Sequence, residues 1–257
     1  MSSIRSTTGH KENLCTIRID PFLYRTVVYS GGRTTPRLIP QGHVLPPDSP
    51  PTFGHHVRNL MIHHIPASKA LRYLSSCSSI TNLFAHHHPG FNWSLAGPIL
   101  QNLSLSRFSG DPSFTFGSLD FPKHPAFSGL THLHHTGFNL SRTDFRSIME
   151  LPSLTHLSVS AVASEDAVKG ALEGSRRLEV LVIQLVPSAG VLSRLLQSSW
   201  EQSITDPRLA CVCVDDMEED WISGATGGPN FWSVADEIVA SRMVSLANIR
   251  NKKLATS

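Results

Sequence analysis

Histidine is the residue type best supplied for chemistry in this chain, with 14 copies among 257 residues. Three of them, His132, His134 and His156, sit in the near-copies Leu130-Thr131-His132-Leu133-His134-His135 and Leu151-Pro152-Ser153-Leu154-Thr155-His156-Leu157-Ser158-Val159. Residues two apart on a strand point to one side, so these imidazoles would cluster, and a shared zinc ion is the sharpest chemistry they suggest. No fourth ligand is evident, and a catalytic zinc would need a carboxylate nearby. Ser158 lies beside His156, but no aspartate is placed to orient the imidazole as a hydrolase triad requires. His86-His87-His88-Pro89 reads as a solvated loop. Gly224-Ala225-Thr226-Gly227-Gly228 lacks the lysine and the strand-to-helix setting of a phosphate loop. The expectation is no metal, no cofactor and no enzyme, with the polar side chains serving recognition.

The elements that position these residues form a repeat. A Leu-x-x-Leu-x-Val template starts at 130, 154 and 178, a period of about 24 residues, which is the mark of a repeat architecture. Further copies are Val57-x-x-Leu60-x-Ile62, Ile80-x-x-Leu83-x-Ala85, Leu100-x-x-Leu103-x-Leu105 and Leu209-x-x-Val212-x-Val214. The linkers Ala67–Ser76, Ser141–Met149, Ser164–Leu172 and Ala189–Trp200 carry helical spacing, with Ser141 placed to cap the second. The proline-bearing insertion 92–129 shows no clear helix. The first, fourth and sixth template positions are apolar and need neighbouring repeats to bury them. The spacing thus predicts an α/β leucine-rich-repeat solenoid, with parallel strands alternating with helices or loops and a C-terminal capping helix.

Alternation along each strand turns the template into a surface map. On the concave face it predicts Asn59, Asn82, Phe84, Asn102, Ser104, His132, His134, His156 and Ser158 as a partner-binding surface. Val180, Val182, Cys211 and Cys213 would form an apolar patch there, to be covered by the Trp221–Leu246 segment. Within that segment Trp221–Gly228 reads as a glycine-rich loop and Phe231–Ile249 as an amphipathic helix. Three regions follow. Residues 1–52 hold a polar segment, the strand-like Pro21–Tyr29 and a proline-rich linker; 53–215 hold the repeats; 216–257 hold the loop and capping helix.

Composition narrows the function classes. A hydrophobic fraction of 40% fits a chain with a real core, and a net charge of +2 gives no ground for nucleic-acid or membrane-surface binding. The acidic run Asp215–Asp220 reads as a solvated face. No apolar run has the length of a membrane span, and Met1–Arg5 opens no secretory signal. The four cysteines, Cys15, Cys77, Cys211 and Cys213, lack a disulfide spacing, so the thiols read as reduced and the protein as intracellular, cytoplasmic or nuclear. The sequons at Asn92, Asn102 and Asn139 are then expected to be unused. A monomer with a protein partner is the expected state.

The order of these pieces resembles the F-box/leucine-rich-repeat-like proteins of mushroom-forming fungi. The residues that carry it are Pro21-Phe22-Leu23-Tyr24-Arg25-Thr26-Val27-Val28, His56-Val57-Arg58-Asn59-Leu60, Cys77-Ser78-Ser79-Ile80-Thr81-Asn82-Leu83, Leu151–Val159, and the tail from Asp206-x-Arg208-Leu209 through Asp220-Trp221 to Phe231-Trp232-x-x-Ala235-Asp236. The resemblance implies the substrate-binding arm of an SCF-type ubiquitin ligase. Residues 1–20 are too short for the three-helix module that docks a Skp-type adaptor and lack its Leu-Pro start, so a member binding protein partners without that adaptor is the alternative. A metal-binding enzyme using His132, His134 and His156 is the remaining one.

Overall fold

The fold is taken from a computed structural model, which describes residues 24–30, 37–39, 53–86, 93–111, 121–137, 140, 142–160, 163–185 and 191–255. Residues 1–20, Cys15 among them, lie outside these, as do His87, His88, Asn92, Asn139, Ser141 and most of the proline-rich stretch 33–54. The strands are β1 (Thr26–Ser30), β2 (Arg37–Ile39), β3 (Asn59–His63), β4 (Asn82–His86), β5 (Arg107–Gly110), β6 (His132–His135), β7 (His156–Ser160), β8 (Val180–Leu185) and β9 (Leu209–Cys213). The helices are α1 (Ala67–Ser76), α2 (Gly97–Leu100), α3 (Arg142–Met149), α4 (Glu165–Gly174), α5 (Val191–Ser203), α6 (Met217–Ala225) and α7 (Phe231–Ala255).

One sheet runs in the order β2-β1-β3-β4-β5-β6-β7-β8-β9. β2 is antiparallel to β1 and every other pairing is parallel, so eight parallel strands alternate with helices or short turns in a repeat-like α/β fold. The strand-like run near the N-terminus therefore belongs to the same sheet as the repeats: Val27 pairs with Leu60 as Leu60 pairs with Leu83.

Two template copies sit in a different register from the one expected. Arg107 pairs with both Asn82 and His132, so the third copy is Leu105-x-x-Phe108-x-Gly110. Leu100 instead ends α2, and Asn102 and Ser104 are exposed, with the Asn102 amide donating to the Pro98 carbonyl at 3.3 Å. The decoy arises because a helix end followed by a turn can also present three leucines to the core, and Leu100, Leu103 and Leu105 are all buried. Gly110 explains why the true copy was hidden. A Cβ there would meet the Ala85 carbonyl oxygen at 2.5 Å and the Phe108 ring at 2.9 Å, so the sixth position admits no apolar side chain. The last copy shifts as well. Leu209 pairs with Leu181 in the fourth position, which puts Ala210 and Val212 on the face assigned to Cys211 and Cys213. Cys211 is in the core.

A feature outside the template fixes the stacking. The residue before each strand's third position sends its backbone N–H to the corresponding carbonyl of the preceding repeat. Thr81 donates to Arg58, Ser106 to Thr81, Thr131 to Ser106 and Thr155 to Thr131, at 2.8–3.0 Å. Their hydroxyls donate to those same carbonyls at 3.0–3.4 Å. A short polar side chain thus satisfies itself locally at these four steps, where an unpaired buried hydroxyl would cost about 1–3 kcal/mol.

The main core lies on one side of the sheet. Leu60, Leu83, Phe108, Leu133, Leu157, Leu181 and Leu209 fill the fourth-position column, packed against Tyr73 and Leu74 of α1, Phe145 and Ile148 of α3, Val168 and Leu172 of α4 and Trp200 of α5. Arg208 closes the last repeat. It pairs with Asp206 at 2.7 Å and donates to the carbonyls of Ser175 at 2.8 Å and Leu178 at 3.2 Å, just past the end of α4.

Candidate functional site

The other side of the sheet carries the residues expected to meet a partner, and the chain's own C-terminal segment lies over it. Asp216 starts α6 by accepting from the backbone N–H groups of Glu218 and Glu219 at 2.8 and 3.0 Å, so most of the stretch read as a glycine-rich loop is helix. Asn230 starts α7, accepting from the Ser233 backbone N–H at 3.1 Å, and Asp220 accepts from the Phe231 backbone N–H at 2.8 Å. Burial pushes the Asp220 carboxyl up to about 6. Asp216 and Asp220 both start helices, and while Asp215, Asp216 and Glu219 stay exposed as a solvated run would, Asp220 is half-buried.

Trp221 reaches the N-terminal strands. It packs with Val28, Met61 and Phe84, and its indole N–H donates to the Asn82 side-chain oxygen at 3.2 Å. Asn59 donates to Thr26 Oγ1 at 2.9 Å and to the Ala225 carbonyl at 3.1 Å. Phe231, Trp232, Ala235 and Val239 cover Val180, Val182, Ala210 and Val212. The apolar patch is covered, as its composition required, although Ala210 and Val212 stand where the two cysteines were expected.

The central histidines lie between these two anchorages. His132 and His156 stack with ring centroids 4.1 Å apart and planes within 11°, and Trp232 stands edge-on to both at 5.2 and 5.9 Å. Each ring's Nδ1 meets the hydroxyl of the preceding threonine, at 2.9 Å for Thr131 and 2.7 Å for Thr155. His156 Nε2 contacts Asp236 Oδ1 at 3.0 Å. An aspartate does reach this imidazole, from α7 some eighty positions away, contrary to the expectation from neighbouring sequence. The hydroxyl on the other side is Thr155, already donating to the Thr131 carbonyl, so the line of three groups orients the ring and holds α7.

His134 is 3% exposed; its Nδ1 lies 2.6 Å from Ser109 Oγ and its Nε2 2.9 Å from Gln184 Oε1. The Gln184 amide nitrogen points to Met217, which leaves its oxygen to accept from an Nε2–H, and in the neutral ring Nδ1 then accepts from the Ser109 hydroxyl. Burial holds its pKa down to about 4. For His132, burial first and then the neighbouring His156 and Arg107 bring it to about 3. Ser158 is fully buried. Of the nine residues expected on an open face, Asn59, Asn82, Phe84, His134, His156 and Ser158 are buried, His132 is half-buried, and Asn102 and Ser104 are exposed but off the sheet.

His132 and His156 are held by stacking, and all three rings by separate hydrogen bonds. Among the described residues, the group whose ligand atoms converge is His63, His64 and His86, all within 4.8 Å of one another. His63 and His86 are register partners in the seventh template position, and His64 follows with φ of 52°. That left-handed conformation costs a non-glycine residue about 1–2 kcal/mol. Ring centroids are 4.1 Å apart for His63 and His64 and 5.0 Å for His63 and His86, over a floor of Phe84, itself edge-on to Trp221. Burial, with the two neighbouring imidazoles, lowers His63 to about 4 against the opposing pull of Glu218 and Asp216. The sequence signal lies in the seventh-position column, where His63 and His86 stand in consecutive copies.

No helix of the described residues is long and apolar enough to cross a membrane. No protein-family model matches the chain, and no curated protein matches it in sequence.

Proposed function

We propose that this protein is a non-catalytic protein-recognition scaffold, a leucine-rich-repeat solenoid whose concave face is occupied by its own C-terminal helices. One observation carries the reading. The stripe of α7 that packs on the sheet through Phe231, Trp232, Ala235 and Val239 continues beyond Arg242 as Met243, Leu246 and Ile249, about half exposed at 51, 49 and 52%. Arg242, which meets the Leu209 carbonyl and lies 3.3 Å from Glu201, marks where the helix leaves the sheet. Among the described residues β9 ends the strand order, and Ser245 and Leu246 border the segment Ile204–Pro207 that leads into it. An exposed apolar helix face is a surface that proteins either cover or use.

The test is affinity capture with wild type and with Leu246→Asp, at a position too exposed to matter for folding. Specific partners retained by wild type and lost by Leu246→Asp support the scaffold; the same partners on both remove the overhang from the reading. The ligase-arm form of the proposal adds a Skp-type adaptor, and co-purification of that adaptor separates it from a scaffold that binds its partners without one. Both forms place the protein inside the cell as a monomer.

A further inference from the structure

The histidine group at the carboxyl ends of β3 and β4 has no part in a recognition surface on α7. We propose that His63, His64 and His86 form a zinc site. The backbone provides the first argument. Adjacent residues on a strand point to opposite faces, so His63 and His64 would diverge if the chain stayed extended. The φ of 52° at His64 turns its ring back beside His63, and the parallel register brings His86 alongside. Left-handed backbone is uncommon outside glycine, and here its product is three convergent imidazoles.

The donor atoms provide the second argument. The Nδ1 of His63 is buried without a hydrogen-bond partner, a condition that buried polar atoms in native proteins ordinarily avoid. Tetrahedral ligation at about 2.0–2.1 Å sets nitrogen–nitrogen separations of roughly 3.4 Å, so rings whose donors lie within 4.8 Å close on an ion by side-chain rotation alone. All three donors are imidazoles, a set that suits zinc and gives magnesium or calcium nothing they prefer. The fourth position goes to water, with Glu218 on the first turn of α6 as the nearby carboxylate that favours a cation there.

Isothermal titration of tag-free, chelator-treated protein with zinc chloride tests this, with magnesium and calcium chloride as parallel arms. The expected result is one saturable zinc equivalent and no heat from the other two ions. His64→Asn is the decisive variant, because asparagine also accepts the left-handed backbone and the site is exposed, so the fold survives. It should weaken zinc binding at least tenfold. His55→Asn, at an exposed histidine ahead of β3, should leave binding unchanged. Cobalt bound in place of zinc should show visible d–d bands that His64→Asn abolishes. Absence of saturable uptake, or uptake equal in wild type and His64→Asn, overturns the site.

Discussion

Two groups of histidines occupy one face of one sheet, and their surroundings give them opposite roles. His132, His134 and His156 stand mid-strand beneath α7, with a hydroxyl on the Nδ1 of each ring, Gln184 on Nε2 of His134, Asp236 on Nε2 of His156, and Trp232 across two of the rings. His63, His64 and His86 stand where the strands end, on a strained turn, with a buried nitrogen left over. Burying a polar ring is tolerable when its hydrogen bonds are made, and such a ring becomes part of the packing. Ligand atoms that converge on one point, as those of His63, His64 and His86 do, are arranged for an ion instead. Residue type and strand register are the same in both groups, so position along the strand decides.

The contrast can be broken most forcefully at its cover. Trp232→Ala should destabilise the protein by about 3–5 kcal/mol in urea denaturation, since the indole is buried against both stacked histidines and the apolar strands. A midpoint at the wild-type value would show that α7 rests on the sheet without holding it. Leu157→Ala, on the opposite side of the same strand set, should cost about 2–5 kcal/mol and leave the C-terminal helices in place, as judged by tryptophan fluorescence.

Acid sharpens the comparison next. His134 titrates at about 4 when folded and near 6.5 when unfolded, so the unfolded chain takes up the proton first as pH falls. Its contribution is complete above pH 6.5 and is lost on the way down to pH 4, by up to roughly 3 kcal/mol. Denaturation at pH 7 and pH 4.5 should show the loss, and His134→Gln should shrink it. Asn82→Ala removes the acceptor of the Trp221 indole N–H and should cost about 1–3 kcal/mol by melting temperature. The smallest effect belongs to Asp236→Ala. The carboxylate is half exposed, so its pair with His156 should contribute no more than about 1 kcal/mol, and a larger loss would make that contact a principal clamp on α7.

Much of the array was legible because leucine spacing reports burial directly. The copies at 57, 80, 130, 154 and 178 stand in register where the template placed them, and α1 has the expected bounds. The copies at 100 and 209 misled for different reasons. A helix end imitated the first, and Gly110 erased the true one by excluding a side chain; in the second, Asp206 occupies a position usually given to leucine because it pairs with Arg208. The second-position hydroxyls of Thr81, Ser106, Thr131 and Thr155 would have marked the phase correctly, since their role depends on the backbone step rather than on core volume. The face beneath α6 and α7 was harder to read. An apolar column signals that something covers it, but polar residues such as Asn59 and Asn82 look the same in sequence whether they meet a partner or their own chain.

The C-terminal helices connect parts of the array that synthesis keeps far apart. Asn59 meets Ala225 and Asn82 meets Trp221, while α7 lies on the last two strands. Stacked repeats ordinarily exchange energy only with their neighbours, so an array can fray from either end in stages. Here the first strands and the last are clasped by one segment, which ties early and late repeats into a single cooperative transition. It also delays completion of the fold: β1, β3 and β4 keep an unfinished face until α6 arrives.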